Sequence, residues 1–333
     1  MSETPLDQGD TAHDTAHQTD AMPNLSIVIP CYFSGANLPE IVAALHAELP
    51  GFSADYEIIL VNDGSTDDTW QHIQEACNAD SRVLGINLMR NFGQHNALLA
   101  GIRRAQHELV VTMDDDLQHP PSEIPRLMAA LTDHDVVYGV PRSEQHGWWR
   151  DASSVVAKFT LERLLDVSFA SDTSAFRLFR REIVAAFATY VGPFVDIDAL
   201  LIWGTRRIAA VQVKHSQRKH GTSNYSFAKL VRHAINMATA YSGLPLRLAS
   251  MIGFVFTLLG IASFGYVVRQ FVVYGVVAEG FTFVASIISV FAGAQLFSIG
   301  ILGEYLARVH FRTMGYPSVV VRTTYQRPRP PSA

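Results

Sequence analysis

From residue 25 onward the chain repeats one cycle: a short run of aliphatic residues, a polar cluster, then a stretch with apolar residues at every third or fourth position. The runs "LSIVIP", "YEIILV", "RVLGINL" and "HELVVTM" have the length and Val, Ile and Leu content of strands buried on both faces. The stretches between them carry a helical period. In the first, from about 37 to 49, Leu38, Ile41, Leu45 and Leu49 share a face. The second helix is expected after "NDGSTDDT", with Ser65 or Thr66 as N-cap and Asp67 and Asp68 near the positive helix end. The third opens after "MRNFGQHN" and closes near Ala105. Strand and helix in strict alternation predict an α/β domain with a mostly parallel sheet covered on both faces. Ligands of such sheets gather at the carboxyl ends of the strands. The polar clusters fall there: residues 30–34, 62–65, 90–94 and 114–118.

A different pattern takes over after Arg247, where charge thins out. Residues 252–268, "IGFVFTLLGIASFGYVV", are long enough with their flanks to cross a hydrocarbon core of about 30 Å. Residues 281–302, "FTFVASIISVFAGAQLFSIGIL", contain no charge. One such run is often a buried core helix; two in tandem predict a transmembrane hairpin, with spans at about 249–270 and 281–302. Lys214, Arg218, Lys219, Lys229, Arg232 and Arg247 precede it and Arg308 and Arg312 follow it, whereas the connection has only Glu279. The positive-inside rule therefore predicts a multi-pass inner-membrane protein, with the large domain and both termini cytoplasmic. Arg269 is an exception that can snorkel to the interface. Glu304 reads as the i+4 partner of Arg308.

In residues 225–247, Phe227, Leu230, Val231, Ile235 and Met237 stand against Lys229, Arg232 and His233, the pattern of an interfacial amphipathic helix or of a helix packed on the domain surface. Residues 1–23 are polar, lack the apolar core of a leader and read as a disordered tail. The expected organisation is a tail at 1–23, a cytoplasmic domain at 24–224, juxtamembrane helices at 225–247, the hairpin at 248–303 and a cytoplasmic tail at 304–333. Small residues in "FAGAQLFSIG" suit packing of span on span, and a homo-oligomer stays open.

The formal net charge of −5 over 333 residues argues against a generally basic nucleic-acid binder. Cys31 and Cys77 fit a reducing compartment and lack metal-site spacing. No G-x-G-x-x-G or Walker lysine motif is present, which argues against dinucleotide and P-loop chemistry. The strand ends carry carboxylates instead, most densely in "VVTMDDDLQHPP". Such a site holds phosphates through a bridging divalent cation, and hard oxygen ligands favour Mg²⁺ or Mn²⁺. If the strand runs through the triplet, Asp114 and Asp116 point one way and Asp115 the other, which makes Asp115 dispensable. His95 and His119, in polar loops, are read as solvated or structural.

"VVTMDDDLQHPPSEIPRL" resembles the D-x-D segment of the family 2 glycosyltransferases of GT-A fold. The likeness is greatest to the polyprenyl-phosphate branch, which holds dolichyl-phosphate mannose synthases, bactoprenol glucosyltransferases and undecaprenyl-phosphate aminoarabinose transferases. "IPCY", "VNDGSTDDT", "RNFGQHNALLAG", "FRLFRR", "RKHGTSNYSF" and "GILGEYLARV" support it, in order, from residue 25 to about 321. The resemblance implies a GT-A Rossmann-like sheet. It places Pro30, Tyr32 and Asp63 around the uracil of a UDP-sugar, with Arg90, Asn91 and Gly93 also near the nucleotide. Asp114 would contact ribose or metal, Asp116 and Gln118 would ligate the metal, and Arg218 and Ser223 would cover the diphosphate. Arg218 and Lys219 can also be read as contacts to anionic lipid.

Two departures accompany this likeness. Family members commonly read "D-x-G-D-F-R" where this chain reads "SDTSAFR": Asp172 and Arg177 are kept and Ala175 takes the second acidic position. Asp172 is then the nearest candidate base, with Asp196 and Asp198 as alternatives or as helix caps. Arg177, and less directly Arg206 or Arg207, would hold a lipid phosphate. At the first strand end "PCYFSG" replaces "P-x-Y-N-E", so Phe33 and Ser34 stand for an Asn and a Glu.

The implied activity is inverting, metal-dependent transfer of one sugar from a UDP-sugar to undecaprenyl or another polyprenyl phosphate, for cell-envelope glycan or lipid modification. An acceptor that is already an anion needs no strong base. The alternatives are a non-catalytic nucleotide-sugar sensor or scaffold, and a processive polysaccharide synthase, against which two spans and the missing "Q-x-x-R-W" argue. The sugar has no readable code: glucose, N-acetylated hexosamine, galactosamine and formylated aminoarabinose stay open.

Overall fold

The computed structural model describes residues 22–141, 173–192, 195–215, 243–275 and 280–328. The amino-terminal residues 1–21, Asp172, Arg218, Ser223 and the amphipathic stretch up to residue 242 lie outside the described residues. In chain order the elements are β1 (Leu25–Cys31), α1 (Leu38–Glu48), β2 (Tyr56–Asn62), α2 (Thr69–Ala79), β3 (Val83–Leu88), α3 (Gln94–Ile102), β4 (Leu109–Thr112) and α4 (Ile124–Ala130). There follow β5 (Val136–Pro141), β6 (Arg177–Arg180), α5 (Ile197–Gly204), β7 (Ile208–Val213), α6 (Leu244–Tyr274), α7 (Phe281–Thr313) and β8 (Val321–Tyr325).

The strands form one sheet in the order β7-β5-β6-β4-β1-β2-β3-β8. The pairs β1–β2, β1–β4, β2–β3 and β5–β7 are parallel, while β6 runs antiparallel to β4 and β5, and β8 antiparallel to β3. This is the mostly parallel sheet that the alternating pattern predicts. Strand alternation sorts the core into two layers. Leu25, Ile27 and Ile29 pack with Leu38, Ile41 and Leu45 of α1, Ile73 and Cys77 of α2, and Ile124 and Leu127 of α4. Val28, Ile59 and Val61 pack on the other face with Leu98, Leu99 and Ile102 of α3 and with Leu200 and Leu201 of α5.

Three boundaries differ from the sequence expectation. α2 starts at Thr69, with Asp68 at its N-cap position, rather than at Ser65 or Thr66. Ser65 is drawn off by a distant partner: its Oγ accepts the Phe33 amide at 3.1 Å. β4 ends at Thr112, so the aspartate triplet lies beyond the strand, and 115–116 form a turn. The chain after the second span, expected as a plain tail, returns to the sheet as β8.

α6 and α7 have 31 and 33 residues, about 46 and 50 Å at 1.5 Å per residue, which is ample for a 30 Å core. Their apolar stretches have mean hydropathy 2.1 over Pro245–Tyr274 and 1.4 over Val290–Thr313, and neither is covered by the rest of the protein. Phe256 meets Phe291 edge-on at 5.7 Å, and a Cβ on Gly260 would lie 3.1 Å from the Phe291 ring, so the helices touch there. Glu304 pairs with Arg308 at 2.9 Å, one turn apart as its spacing predicts. β8, which follows both long helices, pairs with β3 of the sheet that precedes them in the chain.

α3 lies close on β1 and β2 only because residue 101 is glycine: a Cβ there would stand 2.4 Å from Val28 Cγ1 and 3.0 Å from Val61 Cγ2. Gly101→Val should destabilise the domain by about 1–3 kcal/mol through overpacking, read as a lowered thermal midpoint of the purified protein.

Candidate active site

The carboxyl ends of β1, β2, β3 and β4 form one rim, and short polar side chains knit its loops together. Asp63, 3% exposed, accepts the Phe92 amide at 2.7 Å and the Gly93 amide at 2.8 Å through its two carboxylate oxygens. Burial raises its pKa, and those two amides with Arg90 oppose the rise. The clamp brings the turn after β2 onto the segment after β3 so closely that only glycine fits at 64. Its φ is +68°, and a Cβ would lie 2.3 Å from the Arg90 backbone. Gly93, with φ +96°, then turns the chain into α3. Arg90 is exposed and lies over the Phe92 ring at 4.2 Å.

The β1 end is fastened from three directions. The Ser34 amide donates to Thr69 Oγ1 at 2.9 Å, and Phe33 donates to Ser65 as described. Asp115 Oδ2 accepts the Tyr32 amide at 3.4 Å and the Ser34 hydroxyl. Pro30 is buried within β1, while Tyr32 and Phe33 are half exposed with their rings edge-to-face at 4.6 Å. Phe33 has φ +56°, a left-handed conformation that Asn, the residue common in the family here, adopts with less strain.

This geometry corrects the reading of the triplet. Alternation fails beyond Thr112, and Asp115 faces the β1 end, where it braces the turn that carries Tyr32. Burial, with Asp116 adding to it, raises the Asp115 pKa. Asp114 Oδ1 accepts Gln94 Nε2 at 2.7 Å. Asp116 is buried and accepts the Gln118 amide at 3.1 Å across Leu117, whose φ is +59°. His119 is buried behind them, stacked on Phe176 at 5.2 Å and edge-on to His215 at 5.1 Å. Burial first, then His215, lowers its pKa to about 4, so the ring is neutral.

Asp114, Asp116 and Gln118 offer a cation side-chain oxygens only. Among the described residues no three His, Cys, Asp or Glu side chains come together as a metal cage. A hard divalent ion that takes one or two carboxylates and completes its shell with phosphate oxygens and water fits that donor set, whereas a zinc-type site does not.

Across the sheet Arg177, 3% exposed, holds Asp198 with two bonds, Nε to Oδ1 at 2.6 Å and Nη2 to Oδ2 at 2.9 Å. Its Nη1 reaches Thr112 Oγ1 and the Ala175 carbonyl, each at 3.3 Å, and the Tyr138 hydroxyl donates to Asp198 Oδ1 at 2.9 Å. Burial works against both charges, yet each outweighs it for the other: the Arg177 pKa rises and the Asp198 pKa falls. The expectation that Arg177 grips a lipid phosphate therefore fails in this arrangement, because its fork is committed to Asp198. Asp196 caps α5, accepting the Ala199 amide at 3.0 Å. His95 Nδ1 accepts the Ile197 amide at 3.0 Å, a structural tie between α3 and α5.

Arg206 and Arg207 precede β7, which runs parallel to β5. They stand at the amino edge of the sheet, the length of a six-residue strand or about 20 Å from the rim, and Arg207 donates to the Asp133 carbonyl. Topology removes both from the lipid-phosphate set. Sequence reasoning missed Gln94, the bracing role of Asp115 and the Tyr138 contact; only the position of Gln94 inside "RNFGQHN" hinted at the first.

A mostly parallel sheet with one antiparallel strand beside β4 and carboxylates along its carboxyl rim is the domain of a GT-A glycosyltransferase. A solved structure described as a mycobacterial protein shares this fold, with a TM-score of 0.50, 20% identity, and 66% of this chain and 75% of that one covered. The model of the glycosyl transferase family 2 matches residues 26–187. Undecaprenyl-phosphate 4-deoxy-4-formamido-L-arabinose transferases from Sodalis glossinidius and Proteus mirabilis are 35% and 34% identical. They cover 90% and 86% of this chain and 93% and 89% of their own length. The chain belongs to glycosyl transferase family 2 and is a glycosyltransferase.

Asp198→Asn leaves the Arg177 charge buried without a counter-ion and should cost roughly 3–5 kcal/mol in unfolding free energy at neutral pH. Because the folded-state pKa of Asp198 is depressed, the pair's contribution is complete above the ordinary carboxylate pKa of about 3.9 and is lost as pH falls through the folded value. Unfolding free energies of parent and variant should thus keep a constant gap from pH 8 to 5 and converge in stronger acid.

Proposed function

We propose that the protein transfers one sugar from a UDP-sugar to undecaprenyl phosphate or a similar polyprenyl phosphate, with inversion, at the cytoplasmic face of the inner membrane. The observation that carries the reading is the all-oxygen donor set of Asp114, Asp116 and Gln118 in a domain whose chain also has two helices long and apolar enough to cross a membrane, followed by a strand that returns to the same sheet. The relatives' names point to the same acceptor class.

Pro30, Tyr32, Asp63, Arg90, Asn91 and Gly93 form the nucleotide end of the rim. Asp63 works by holding the 92–93 backbone in place, and Asp115 by holding Tyr32. Asp114, Asp116 and Gln118 would hold Mg²⁺ or Mn²⁺, which would offset the charge of the departing UDP. The family resemblance assigns the cover of the diphosphate to Arg218 and Ser223, both outside the described residues. The acceptor's phosphate oxygen attacks the anomeric carbon as its bond to UDP breaks, and UDP leaves with the electron pair. That nucleophile is an anion at neutral pH, so the loss of an acid at Ala175 does not disable the reaction, and Asp172 is left to orient rather than to deprotonate. Asp196 and Asp198, tied to α5 and to Arg177, are positioning residues. The basic residues that flank the spans favour a cytoplasmic catalytic domain.

The test supplies polyprenyl phosphate, Mg²⁺ or Mn²⁺, and a panel of UDP-sugars that includes the 4-deoxy-4-formamido-L-arabinose donor, and reads the mass of the lipid product. One sugar per lipid is expected. Longer products would indicate a processive synthase, and UDP binding without turnover over the whole panel would indicate a sensor. Asp116→Asn should lower kcat by about 10²–10³-fold. Asp115→Ala should raise donor KM about tenfold, the worth of roughly 1.4 kcal/mol, with little change in kcat; a silent Asp115→Ala would refute its bracing role.

A further inference from the structure

We propose that the carboxy-terminal strand is a working part of the donor site: β8 holds the segment after β3 in place and ties it to the membrane hairpin. This rests on the donor reading above and adds to it an element outside the rim motifs. β8 lies at the edge of the sheet, with Gly85 opposite Tyr325 and Leu88 opposite Val321. The pairing continues past the end of β3. The Met89 amide donates to the Val320 carbonyl at 2.9 Å, and Arg322 Nη2 donates to the Met89 carbonyl at 3.3 Å. Both backbone groups of Met89 are therefore taken by the carboxy-terminal segment.

The next residues are Arg90 to Gly93, whose last two amides Asp63 holds from the inner side. The donor segment is gripped from β2 within and from β8 without. From the last residue of β8 onward the chain is anchored again: Tyr325 Oη donates to Asn78 Oδ1 at 2.7 Å, Gln326 Nε2 to the Ser81 carbonyl at 3.0 Å, and Arg327 Nη1 to the Asn78 carbonyl at 3.1 Å.

β8 brings little apolar surface to the core, since residues 321–324 are exposed and only Tyr325 packs against the interior. Its contribution is concentrated in backbone pairing beside Met89. The connection to the membrane is short and seated. α7 ends at Thr313, and Arg312 in its last turn lies over the Tyr190 ring at 5.3 Å. Gly315 turns the chain at φ +65°, Ser318 is buried and Val319 packs on the second core layer. A displacement of the second span is thereby passed to the start of the donor segment.

The experiment uses the full-length protein in lipid nanodiscs, a variant ending at Gly315, and full-length Arg322→Ala and Arg322→Lys. UDP affinity in the presence of Mn²⁺ is measured by calorimetry, alongside KM for donor and for acceptor. The shortened protein should bind UDP about tenfold more weakly and show a matching rise in donor KM, with kcat and acceptor KM within about twofold. A synthetic peptide of residues 316–328 should restore binding in trans by re-forming the edge strand. Arg322→Ala should show a smaller loss of about threefold, and Arg322→Lys a loss between that and the parent. Unchanged UDP affinity in both the shortened protein and Arg322→Ala would overturn the proposal. So would a joint loss of kcat and both KM values without peptide rescue, which would make β8 a structural strand only. If the shortened protein does not fold, Arg322→Ala decides by itself. Failure of the intact protein to bind UDP at all would instead sink the donor reading, and this proposal with it.

Discussion

Parallel strands end with backbone amides that have no neighbouring strand to accept them, and a buried amide without an acceptor is costly. The carboxyl rim of this sheet is organised around that constraint. Asp63 takes two amides of the segment after β3, Ser65 and Thr69 take those of Phe33 and Ser34, and Asp115 takes that of Tyr32. Asn62 accepts the Ser65 amide at 3.2 Å and bonds across to Asn87 at 2.9 Å. Each acceptor comes from a different strand end from the loop it holds, apart from Asn62 within its own turn. The loops of the carboxyl rim are thereby fixed to one another, which would reduce the ordering cost of binding a ligand there.

The other half of the sheet is held by charge. Arg177 and Asp198 are buried together, and the pair joins β6 to α5 directly beneath Thr112, the last residue of β4. A buried ion pair adds little net stability compared with an apolar filling, but removing one member is expensive. Its effect here is positional. It orients α5 and the end of β6 relative to the aspartate turn, and the neutral His119 ring, pressed against Phe176, fills the space between them. An arginine placed so deeply acts on the site through what it holds.

The two long apolar helices and the glycosyltransferase sheet are joined through β8. The chain beyond α7 is tied back to the sheet by strand pairing rather than ending in a loose tail. β3 and β8 meet although both long apolar helices lie between them in the chain.

The sequence by itself determined what depends on local periodicity and on distance along the chain. The alternation of strands and helices, the four polar clusters at strand ends, the two apolar runs and the Glu304–Arg308 spacing are local, and each matches the structure. Family motifs added the order of the rim residues. Tertiary structure decided what depends on partners remote in sequence. Ser65 left its helix-cap position for Phe33, and Arg177 found Asp198 rather than an open phosphate site. Arg206 and Arg207 were carried to the far edge by the direction of β7. Asp115 turned to the β1 end because β4 stopped at Thr112, and residues 321–325 paired with a strand more than two hundred positions earlier. A polar or charged side chain goes where its bond is best satisfied under burial, and that competition is settled only when distant elements are packed against each other.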